Sequence, residues 1–95
     1  MAILYKKFEL GNLVSSQGVT NLLRENWNHL QALSDLFTRH QAGDWVFVTE
    51  DESYSNEISL KNDEAIKSKY LLGGKEIIIL TLGDRSETIA ALQKE

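Results

Sequence analysis

Two glycine turns bracket a β-branched run near the C-terminus, and that arrangement constrains the fold more than any other feature of the chain. Gly73-Gly74 accepts the positive φ values that a two-residue hairpin demands. Ile77-Ile78-Ile79-Leu80 follows with the composition of a core strand. Gly83-Asp84-Arg85-Ser86 then turns the chain again before a shorter strand, Thr88-Ile89-Ala90-Ala91-Leu92. Upstream of the hairpin, residues 66–72 alternate in part between apolar and polar. Three such segments joined by tight turns predict a three-stranded antiparallel β-meander.

The segments before the meander read as helices. Ser15 and Ser16 are N-cap candidates for a helix over residues 16–25, in which Val19, Leu22 and Leu23 keep the i, i+3, i+4 spacing. Asn26 breaks it. A longer helix over 27–41 places Trp27, Leu30, Leu33 and Phe37 on one face, widened by Leu36. Its last turn holds Arg39 and His40, suited to the negative end of the helix dipole, and Gly43 supplies the left-handed stop. Residues 52–62 form a third helix with Tyr54, Ile58 and Leu60 or Lys61 facing inward. Two segments stay open: residues 2–8 as a strand or an ordered arm, and 45–49 as a strand or an extended link. Helices followed by a meander predict an α+β fold, N-terminal helices packed on the three-stranded antiparallel sheet, with residues 1–95 as one domain.

The absence of Cys excludes a disulfide framework, a thiolate metal site and a Cys nucleophile. A secreted domain of this size usually needs such staples, so a cytoplasmic setting is expected. No run approaches the roughly 18 apolar residues of a membrane span, so no membrane association is expected. The net charge of −4 argues against a general nucleic-acid binder. No carboxylate stands at a metal-ligand spacing from His29 or His40, so neither metal nor cofactor is expected. Gly73-Gly74 lacks the following helix and Lys–hydroxyl pair of a phosphate loop.

Arg39-His40 with Gly43-Asp44-Trp45, then Glu50-Asp51-Glu52, then Asn56 with Ser59-Leu60, run in order along the chain. Ser68 with Tyr70 and Leu72, Thr81, and Asp84-Arg85-Ser86 with Thr88 continue the series. Upstream, Gly11-Asn12-Leu13-Val14 and Gly18 belong with them. Together these landmarks resemble a family of small accessory proteins carried on plasmids and other mobile elements, whose pattern runs Arg-His-x-x-Gly-Asp-Trp to Asp-Arg-Ser-x-Thr-Thr. The chain departs from that pattern where Ile78 stands for Trp, Leu82 for Glu, Gln93 for Pro, and Val46-Phe47 for Gly-Asp. The resemblance implies a genetic setting and a shared fold, and no catalytic activity.

Two clusters invite chemistry. Arg39, His40 and Asp44 include a His–Asp pair capable of acid–base work. In the plainer reading the first two close a helix, while Asp44 and Trp45 fix the turn after it. Asp84-Arg85-Ser86 reads as turn chemistry, except that a turn does not require Arg85, which is expected to pair with Asp44 or to meet a partner. No nucleophile–base pair is identifiable, so an enzyme is not expected. The segment Glu50, Asp51, Glu52, Glu57, Asp63 and Glu64, offset only by Lys61, is either a solvated helix face or a surface that docks on a basic groove, with Tyr54 or Phe47 as anchor. The expected partner-binding set is Glu50, Asp51, Glu52, Tyr54, Glu57 and Arg85. The expected partner is a host protein, with a CRISPR effector nuclease as the leading candidate and no direct nucleic-acid contact. The resulting function is anti-CRISPR-like inhibition of a host defence nuclease. The alternative is an antitoxin-like or DNA-binding regulator of the element, built on the helix pair 16–25 and 27–41. A homodimer is left open, since a terminal strand can pair across a sheet edge.

Overall fold

The computed structural model describes residues 7–43 and 50–94, and for residues 50–54 the backbone alone. Most of the segment 2–8, the link at 45–49, and Asp44 with Trp45 lie outside the described residues.

The order of elements is β1 (Asn12–Ser15), α1 (Gln17–Glu25), α2 (Asn28–Ala42), α3 (Glu50–Asn62), β2 (Ile66–Leu72), β3 (Lys75–Thr81) and β4 (Glu87–Leu92). The fold is α+β. The expected three-stranded meander is present as β2-β3-β4, but the sheet is larger and mixed. A fourth strand, β1, lies parallel to β4, giving the order β1-β4-β3-β2. Its four residues are too few to show a period. What seats it is Gly11, at φ 66°, where a Cβ would stand 2.4 Å from the carbonyl oxygens of Arg85 and Ser86. The turn at Gly11-Asn12 is thus an entry into the sheet, secured by the Asn12 N–H donating to the Ser86 carbonyl.

The helices begin and end on local chemistry. Ser16 caps α1, its Oγ accepting from the Val19 N–H. Asn26 closes α1 and its Oδ1 accepts from the Asn28 N–H, turning the chain straight into α2. Gly43, at φ 83°, stops α2. Asp63, at φ 55°, ends α3, and the Glu64 N–H reaches back to the Ser59 carbonyl.

One face of the sheet carries the core. Ile66, Ser68, Tyr70 and Leu72 of β2, Ile77, Ile79 and Thr81 of β3, and Thr88 and Ala90 of β4 are all buried. Val19 and Leu22 of α1 and Leu33, Leu36 and Phe37 of α2 cover the apolar part. The apolar stripe expected on α2 is displaced by one turn. Trp27 is 81% exposed and Leu30 49%, while His40 completes the buried stripe at the other end. The reason is position. Trp27 belongs to the α1–α2 corner, and Leu30 overlooks a groove at the sheet edge. The inward face expected of α3 is likewise corrected: Asn56 and Ser59 are buried, while Ile58 and Lys61 are exposed. Helix α3 meets the rim of β2, where the available partners are backbone groups, so its inward residues are polar.

Candidate functional site

The carboxylates of the segment 50–64 follow the axis of α3 and its C-terminal turn. Among those whose side chains are described, Glu57, Asp63 and Glu64 are exposed. Glu57 meets Lys7 at 3.4 Å in an exposed ion pair of small energetic weight. Ile58 is exposed on the same helix, an apolar side chain among charges. The side chains of Glu50, Asp51, Glu52 and Tyr54 lie outside the described residues, though their backbone is helical.

Two side chains fasten α3. Asn56 acts as a surrogate backbone: its Nδ2 donates to the Lys67 carbonyl at 2.6 Å and its Oδ1 accepts from the Lys67 N–H at 3.1 Å. Lys67 lies on β2, an edge of the sheet, so one amide side chain occupies both groups that this residue would offer another strand. Arg85 is the second fastener. Its guanidinium donates to the carbonyls of Glu64 (2.7 Å), Leu82 (3.1 Å) and Ser59 (3.4 Å), and it sits 5.5 Å from the Phe8 ring centroid. Those carbonyls belong to the end of α3 and to the β3–β4 turn, so the arginine ties the acidic helix to the meander. Beside it, the Ser86 hydroxyl and N–H hold the Asp84 carboxyl below its ordinary pKa.

Beneath lies a polar relay that sequence reasoning missed. His40 is fully buried, with Nδ1 on Ser68 Oγ and Nε2 2.8 Å from Thr81 Oγ1. Thr81 Oγ1 is 2.8 Å from Thr88 Oγ1, which donates to the Leu10 carbonyl at 2.7 Å. The far carbonyl sets the directions as far as the ring. It can only accept, so Thr88 spends its proton there and must accept from Thr81. Thr81 in turn must accept from His40 Nε2–H. Burial pushes the imidazole pKa down to about 4, so near pH 7 the ring is neutral and its Nδ1 accepts from the Ser68 hydroxyl. A Ser–His contact is also how a nucleophile meets its base, but here both residues have no exposed surface and no acyl group can reach Ser68. The signal was present in sequence as three hydroxyl residues, Ser68, Thr81 and Thr88, in line with apolar inward positions of their strands, yet their pairing with a residue on α2 required the fold. The His40–Asp44 pair lies outside the described residues. Arg39 is over the Tyr70 ring, 5.3 Å from its centroid.

No protein-family model, no curated protein and no solved structure matches this chain.

The opposite edge differs in character from β2. Strand β1 lines a groove of about 420 Å³ with Leu23, Leu30, Leu33 and Phe37. Leu13 on this strand is 56% exposed and Val14 39%. Among the described residues, no group of His, Asp or Glu is arranged to hold a metal ion, and no helix is long and apolar enough to cross a membrane.

Proposed function

We propose that this protein is a protein-binding module of a mobile genetic element, which inhibits a host defence nuclease by covering a basic nucleic-acid-binding surface, as anti-CRISPR proteins do. One observation carries the reading. The segment 50–64 holds six carboxylates and one lysine, a net −5 against −4 for the whole chain, and four of the six acidic residues belong to one helix, α3, with Asp63 and Glu64 directly after it. An acidic helix on a small rigid support matches the charge of a guide- or target-binding channel and speeds encounter with it. Glu50, Asp51, Glu52 and Glu57 supply the charge and Tyr54 the anchor, while Arg85 positions the helix. The regulator reading finds less support: α2 carries one arginine, Arg39, in its last turn over Tyr70, while of its two histidines His29 bonds the Leu22 carbonyl and His40 is buried.

The test is target-DNA cleavage by guide-loaded CRISPR effector nucleases, titrated with the protein at rising salt. Inhibition that weakens with salt, and that is lost when Glu50, Asp51, Glu52 and Glu57 are changed to Lys in a variant with an unchanged circular dichroism spectrum, supports occlusion. Cleavage unaffected at saturating protein, with retention of the element's own DNA, replaces this reading with the regulatory one.

A further inference from the structure

The two edges of the sheet are treated differently, and the difference selects a partner. On edge β2 the backbone groups of Lys67 are taken by Asn56, and the strand carries Lys67 and Lys69, charged side chains of the kind that discourage strand addition. Edge β1, Asn12-Leu13-Val14-Ser15, carries no charge. Asn12 N–H donates to the Ser86 carbonyl just before β4 and Ser16 N–H to the Ala90 carbonyl on it, so the even-numbered residues face that strand. By alternation, the N–H and C=O groups of Leu13 and Ser15 face away from it, where no described strand lies.

We propose that β1 pairs with β1 of a second copy of this chain, antiparallel across a two-fold axis at Val14. In that register Leu13 stands opposite Ser15 of the other copy. All four outward backbone groups on each strand are then satisfied by four hydrogen bonds, and Val14 meets its equivalent as a non-hydrogen-bonded pair. Registers centred elsewhere leave one of the two residues unpaired within the strand. Charge favours the same choice. The acidic helix α3 lies at the β2 edge, as far across the sheet as the topology allows, so joining two copies at β1 keeps their negative charge apart. An uncharged edge also meets its own copy without like-charge repulsion. The exposed Leu13 of each copy comes to the axis beside the apolar groove of the other. The result is a continuous eight-stranded sheet with an acidic helix at each end. This inference is independent of the nuclease reading.

The wild-type chain is examined first, by sedimentation equilibrium over a range of concentrations. A mass that doubles at high concentration and returns to the monomer on dilution is expected. Because the chain has no cysteine, register can then be read by crosslinking. Val14→Cys is expected to form a disulfide dimer under mild oxidation, since the Cα separation of a non-hydrogen-bonded pair lies within disulfide reach. Leu13→Cys, which faces Ser15 and not itself, is expected to crosslink far less. Val14→Asp should hold the protein at monomer mass with its melting curve little changed. A monomer at every concentration overturns the proposal, as does equal crosslinking of the two cysteine variants. Either result frees this edge for an extended segment of another protein.

Discussion

His40 concentrates the residue-level chemistry. It joins α2 to β2 and β3 directly and, through the two threonines, reaches β4 and the carbonyl of Leu10, so a single ring is held by groups from across the fold. Burial disfavours the charged imidazole, whose pKa falls to about 4 from the ordinary 6.5. The unfolded chain takes up a proton at a pH where the folded chain refuses it. Stabilisation is therefore complete above pH 6.5, declines below it, and is exhausted near pH 4. Unfolding by urea at pH 7 and pH 5 should differ by roughly 2 kcal/mol on account of this residue alone. In His40→Gln the intrinsic stability is lower, but this part of the pH dependence is gone. An unchanged slope between pH 5 and pH 6.5 in that variant would mean that another group titrates. The plain reading of Arg39 and His40 as helix-closing cations needs this correction: His40 is in the last turn, but it is uncharged there and serves the core.

At the scale of elements, much was legible and the gaps have physical causes. The three meander strands and three helices follow from turn chemistry and periodicity, and Ser16, Asn26 and Gly43 stop and start helices through the groups expected of them. Strand β1 was hidden because four residues pairing in parallel with the far end of the chain leave no local pattern. The inward face of α3 was misassigned for a different reason. Its contacts are with backbone at the sheet rim, so hydrophobic spacing carries no information and Asn56 and Ser59 go inward in place of Ile58. Arg85 poses a question of role. It occupies a left-handed position, φ 61°, where a non-glycine residue costs about 1 kcal/mol or more. Glycine there would relieve the backbone, so a purely exposed arginine kept for a partner predicts that Arg85→Gly is neutral or stabilising. Its bonds to the carbonyls of Ser59, Leu82 and Glu64 predict the reverse, a net loss of about 1 kcal/mol and a lower melting temperature. Thermal unfolding of this variant separates the two roles.

At the scale of the molecule, the elements are unequally anchored. Strands β3 and β4 are central, with a strand on either side, and α1 and α2 seal their inner face with Val19, Leu22, Leu33, Leu36 and Phe37. Helix α3 is held over its described part by Asn56, Ser59 and the Arg85 guanidinium, which are polar fasteners at a rim. Free energies of local opening follow buried apolar contact, so the molecule should open in order, α3 before the sheet. Native-state hydrogen exchange is expected to show the α3 amides exchanging through a low-energy opening, and those of β3 and β4 only through global unfolding. Asn56→Ala sharpens the test. It removes both bonds to Lys67, so it should lower the opening energy of α3 by roughly 1–2 kcal/mol and expose the Lys67 amide, while leaving the sheet amides nearly unchanged. Uniform acceleration of every amide would instead make α3 part of the cooperative core. The ordering also bears on binding: a partner that docks on the acidic helix suppresses its local opening, and so its contact should appear as added protection of the α3 amides.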